Sequence, residues 1–118
     1  MPRLGVFAGL GLWLALAGVA AAQQGQAPPV SCPIRAGDPL RTIGVIDGPP
    51  EGMAYLVPDM NTDDRDGWNL AYVYDTRSFV TLRCRYTTGA VVDIRISHRI
   101  AQCQSSRPPG GVPSITCN

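Results

Sequence analysis

The stretch "FVTLRCRYTTGAVVDIRISH", Phe79 to His98, decides the fold. Val80, Leu82, Cys84 and Tyr86 alternate with Thr81, Arg83 and Arg85. After "TTGA", Val92, Ile94 and Ile96 alternate with Asp93, Arg95 and Ser97. A period of two sends one row to a core and the other to water. Two such runs joined by a short glycine-containing turn predict an antiparallel hairpin. Arg83 and Asp93 are placed to pair across it.

Working back from this hairpin, "WNLAYVYD" (residues 68–75) also alternates, and "TRS" turns the chain after it. Its row of Trp68, Leu70, Tyr72 and Tyr74 either packs inward or forms an open aromatic strip. "LRTIGVI" (40–46) is β-branched and ends at Asp47-Gly48, which reads as a further strand. Between them, "DGPPEGMAYLVPD" predicts a helix of about two turns. Asp47 or Gly48 caps it, Pro49-Pro50 suit its first positions, and Glu51 favours its dipole. Met53, Leu56 and Val57 recur at helical spacing, and Pro58 stops it. The expected fold is α+β: one antiparallel β-meander sheet of about four to five strands, one short helix and two disulfides. The tail "QSSRPPGGVPSITCN" reads as a Pro/Gly loop that returns Cys117 to the body.

Residues 1–22 read as a signal peptide. They hold one early positive charge, an uncharged apolar run from Gly5 to Val19, and the small-residue exit Ala20-Ala21-Ala22. The run is too short for a membrane span. Residues 23–31 read as a flexible leader and 32–118 as a single small domain. Cleavage after Ala22 leaves 96 of 118 residues, with nine arginines, no lysine and nine acids. A near-neutral balance offers nothing to nucleic acid or to an anionic membrane. The four cysteines, Cys32, Cys84, Cys103 and Cys117, have none of the close C-x-x-C pairs of a zinc site, and one histidine accompanies them. In a short exported chain they predict two disulfides with three possible pairings. The meander favours Cys84–Cys103, because Cys103 follows the strand that runs back past Cys84. That leaves Cys32–Cys117 to close the chain ends.

Cys32-Pro33, "VIDGPPEGMAYLVPD", Trp68, "CRYTTG" and Cys103 resemble an uncharacterised family of small exported periplasmic proteins of Gram-negative bacteria. The resemblance implies export and small size. It carries over no catalytic residue.

The candidate sites are few. "DMNTDDRD" (59–66) offers Asp59, Asn61 and Asp63 at the first spacings of a calcium loop. Asp64 stands where the turn glycine belongs and Leu70 where the bidentate acid belongs, so these are weak candidates and no metal is expected. Surface turns favour Asp and Asn in any case. His98 has no nucleophile motif beside it, and Glu51 has no acid/base partner. Tyr72, Tyr74, Arg83, Arg85 and Arg95 make the candidate binding surface, with Arg77 and Arg99 nearby in sequence. The expectation is a non-catalytic periplasmic or secreted module without cofactor. Its partner is an unspecified protein or envelope component. It has no nucleic-acid partner and no membrane span after signal cleavage. The alternative is a small envelope enzyme, or an enzyme inhibitor acting on cell-envelope material.

Overall fold

A computed structural model describes Gly5, Gly9, Gly11 and residues 27–118. The signal-peptide reading lies almost wholly outside the described residues. The elements run β1 (Leu40–Asp47), β2 (Met60–Asn61), β3 (Arg65–Asn69), α1 (Ala71–Asp75), β4 (Val80–Tyr86), β5 (Val91–Ile96), β6 (Gln102–Ser106) and β7 (Ser114–Cys117). Among the described residues all strand pairs are antiparallel, in two sheets ordered β1-β4-β5 and β2-β3-β6-β7.

The hairpin from Phe79 to His98 forms as its alternation requires. Arg83 faces Asp93 and Cys84 faces Val92. Gly89 takes φ +92° in the turn, a conformation that glycine adopts without cost. Val80, Leu82, Cys84, Tyr86 and Ile96 are buried. Each large apolar side chain so buried is worth about 1.5–3 kcal/mol. The same core takes Val45 from β1, Trp68 from β3, Cys103 from β6, and Ile115 and Cys117 from β7. The two sheets thus share one core. Thr81 breaks the pattern: it lies on the outward row yet is buried, and its hydroxyl donates to Gly48 O at 2.7 Å. That bond meets the cost of burying the hydroxyl.

The α+β class, the antiparallel pairing and the two disulfides agree with the sequence reading, while three local expectations are corrected. The stretch after Gly48 is not a two-turn helix. It makes a 3-10 turn at Pro50–Gly52, and Met53 then takes φ 52°. Gly52 weakens any helix there, and Ala54–Leu56 straighten to pair with β1 instead. "WNLAYVYD" is not a strand throughout: β3 ends at Asn69, and Ala71–Asp75 is the one α-helix among the described residues. Trp68 and Leu70 satisfy a period of two, but Leu70, Val73 and Tyr74 satisfy a helical spacing equally well. Burial of Leu70 and Val73 selects the helix. The Pro/Gly tail is the third case. Its two ends pair as β6 and β7.

That tail hairpin overturns the expected disulfides. The bonds are Cys32–Cys84 and Cys103–Cys117, not Cys84–Cys103 and Cys32–Cys117. Cys84 and Cys103 belong to different sheets. Cys117 lies directly opposite Cys103 across the β6–β7 ladder. Gln102 and Asn118 exchange both backbone hydrogen bonds next to them, so Cys103 and Cys117 form the closer, non-hydrogen-bonded kind of pair. The N-terminal segment then joins the sheets. Val30 exchanges two backbone bonds with Cys117, and Cys32 is bonded to Cys84. The Tyr86 hydroxyl donates to Pro33 O.

Candidate functional site

The β1-β4-β5 register brings Gly44, Arg83 and Asp93 into one outward row, flanked by Thr42-Arg85-Val91 and Ile46-Thr81-Arg95. Tyr55 lies across this face. A side chain at position 44 would put its Cβ 2.7 Å from the Tyr55 ring, so the missing side chain of Gly44 is what lets the ring lie there. Arg83 donates through Nε and Nη2 to both Asp93 oxygens, at 2.8 and 3.0 Å, and through Nη1 to the Tyr55 hydroxyl at 2.8 Å. This paired fork fixes the guanidinium, and with it the phenol, in one geometry. Arg85 and Arg83 hold the Tyr55 phenol below its ordinary pKa. The Arg83 hydrogen bonds hold the Asp93 carboxyl low as well.

Arg83 is therefore neutralised, whereas Arg85 and Arg95 are not. Among the described residues neither has a carboxylate within salt-bridge distance. Arg95 stacks instead on Phe79, 3.9 Å from the ring centroid. Four strand positions separate Arg85 from the residue opposite Arg95, so the main-chain positions of the two stand about 14 Å apart. Met53 and Val57, in the segment that carries Tyr55, are exposed, as is Val91 on the face itself. Exposed Met, Tyr and Arg around a fixed central cluster is the composition enriched in protein interfaces.

Two grooves border β1. One, of about 510 Å³, is lined by Pro33, Ile34, Leu40, Tyr86, Val112 and Ile115 among others. Its wall is held by Asp38, which is buried and accepts bonds from Arg35 Nε, Thr87 Oγ1, Thr88 N and Thr88 Oγ1 at 2.6–3.0 Å. Burial alone would raise that carboxyl. The Thr88, Arg35 and Thr87 bonds outweigh it and bring the pKa down to about 2. The other groove, of about 340 Å³, runs between β1 and the second sheet.

Of the residues singled out in the sequence, Arg83, Arg85 and Arg95 do share one face. No hydrogen bond joins Tyr72 or Tyr74 to them. Tyr72 is exposed on α1, and the half-buried Tyr74 donates its hydroxyl to Ile96 O at 2.9 Å. Arg99 pairs with Asp75. The acidic stretch is the β2–β3 hairpin, and several of its polar side chains serve that hairpin. Asp59 Oδ2 accepts the Asn69 N–H at 2.6 Å, and Asn61 donates to Asp66. Asp66 also takes Arg107 at 3.1 Å. No group of three or more His, Cys, Asp or Glu side chains converges among the described residues. No helix among them is long and apolar enough to cross a membrane. The sequence reading missed Tyr55 and Phe79. The helical spacing around Tyr55 concealed it, and Gly44 in an otherwise β-branched strand was the available signal for a close approach.

Residues 35–118 fit the profile of the type VI secretion system Tli immunity protein family, and the chain belongs to that family. The match spans Asp47 to Pro50 and Cys84 to Thr88, while Cys32 and Pro33 lie just before it. Neither a curated protein nor a solved structure matches the chain.

Proposed function

We propose that this protein is an exported immunity protein that binds a toxin of a type VI secretion system and blocks it by stoichiometric occupation, without catalysis. Membership of the immunity family over residues 35–118 carries the reading. The periplasm is the compartment that two disulfides and the signal-like first 22 residues support. The docking surface is the outer face of β1-β4-β5. Tyr55 is held there by Arg83, so little rotamer freedom is lost when a partner covers it. Arg85 and Arg95 attract carboxylates on the toxin and steer its approach.

The test is to mix the mature protein with the toxin, measure the mass of the complex, and follow toxin activity against added protein. The expected result is a discrete complex and inhibition complete at its stoichiometric ratio. Unimpaired toxin activity at a large excess of this protein overturns the reading.

A further inference from the structure

The outer edge of β1 is covered along one half and open along the other. Leu56 donates its N–H to Val45 O at 2.8 Å, Asp47 donates to Ala54 O at 2.9 Å, and Tyr55 faces Ile46 in an antiparallel bridge. These contacts begin an added strand on β1. It stops there for a covalent reason: the next residue in place to donate to β1 is Pro58, which has no N–H. The carbonyl of Leu56 accepts from Trp68 Nε1 at 3.0 Å, and Asp59 already donates to Gly67 O on the other sheet.

Val45 O and Asp47 N point away from β4. Alternation along an antiparallel ladder therefore points the N–H and C=O of Ile43, and the N–H of Val45, the same way. Among the described residues none of these three groups has a main-chain partner outside the β1–β4 ladder. They do not face open solvent. Val45 is 1% exposed, and both residues line the groove of about 340 Å³ between the sheets. Trp68 and Ser105 line it from the second sheet, and Arg41 lines it too, with no carboxylate within salt-bridge distance among the described residues. Exposed edges are usually blunted by charge, proline or cover. This one is recessed instead, so a folded sheet cannot reach it but a single extended chain can.

We propose that the open half of β1 receives an extended segment of the toxin as an added strand. The guest bonds to the main chain of Ile43 and Val45, places apolar side chains in the groove, and brings a carboxylate to Arg41. This is strand addition to a sheet edge, with main-chain bonds giving affinity and pockets giving selectivity. Tyr55 lines this groove and also lies on the arginine face, so the two contacts are continuous. The inference rests on the immunity reading for the identity of the partner.

Amide hydrogen exchange of the mature protein, alone and saturated with the toxin, tests it. The amides of Ile43 and Val45 should slow by at least about tenfold in the complex. Arg41→Glu should weaken toxin binding by about tenfold. Ile43→Pro removes a donor that β4 does not use and should weaken binding more strongly. Where Ile43→Pro fails to fold, the exposed Arg41→Glu and the exchange data decide. A complex that adds no protection at Ile43 and Val45 and is indifferent to Arg41→Glu overturns strand addition but keeps the immunity reading. Absence of any complex overturns both. The same protection arising in the protein alone, with dimerisation, makes a second copy the occupant and overturns the toxin assignment.

Discussion

Removing the Cys32–Cys84 bond, as Cys32→Ala with Cys84→Ala, should cost more than removing Cys103–Cys117. The bridges close loops of 52 and 14 residues. In the chain-entropy account these constrain the unfolded chain by about 4 and about 3 kcal/mol respectively. A domain of this size is stable by roughly 5–15 kcal/mol in all, so either loss is large. The first pair also holds the N-terminal segment against β4. Without it, that segment keeps the Asp38 bonds to Thr87 and Thr88, the Tyr86–Pro33 bond and the Val30–Cys117 bridge. The variant should therefore still fold. The assay is urea unfolding at pH 7. With a slope of roughly 1–1.5 kcal/mol/M, the midpoint should drop by about 3 M for the first pair and by about 2 M for the second. A larger loss for the Cys103/Cys117 variant, or a loss below about 1 kcal/mol for the other, refutes the loop-entropy reasoning. A non-reduced peptide joining Cys84 to Cys103 refutes the two-sheet topology itself.

Asp38 is held at about pKa 2, below its unfolded value of about 3.9, so its stabilisation is present above pH 4 and is lost as pH falls toward 2. Asp38→Asn should be less stable than wild type at pH 7 in thermal melts, and the gap should shrink below pH 4; a gap constant from pH 7 to 2 contradicts this. Gly44→Ala should cost about 1 kcal/mol by driving the Tyr55 ring off β1, and should weaken toxin binding as well; unchanged binding would remove Tyr55 from the docking surface. Arg85→Glu with Arg95→Glu should lower urea stability by no more than about 1 kcal/mol, chiefly through the lost Phe79 stacking, but slow toxin association, an effect that added salt diminishes. Equal association rates for the double variant and wild type would count against steering. Tyr74→Phe should lose about 1 kcal/mol through its bond to Ile96 O, and an unaltered unfolding midpoint would show that bond to be worth nothing.

Alternation alone determined the β4–β5 hairpin, its inward row of Val80, Leu82, Cys84 and Tyr86, and the shared face of Arg83, Arg85 and Arg95. A period of two needs no distant contact to be read, and one-sided burial then sets the register. The even cysteine count in a short chain likewise determined two disulfides. Tertiary structure decided the rest, because those choices lay between local conformations of similar energy. Leu70 to Asp75 fits a strand or a helix, and only the burial of Leu70 and Val73 separates them. Pro49 to Pro58 carries helix-start signals, yet the main chain of Val45 and Asp47 draws Ala54–Leu56 out straight. That pairing puts Tyr55 over Gly44 and gives the arginine face its centre. The cysteine pairing depended on whether the tail was a loop or a hairpin. No local signal reports that, since β6 and β7 are rich in Gln, Ser and Thr and become a sheet only where Cys103, Ser105, Ile115 and Cys117 find a core to face. The open half of β1 is hidden from the sequence for the same reason. Pro58 is visible there, but the edge it leaves unpaired exists only once two distant segments lie side by side.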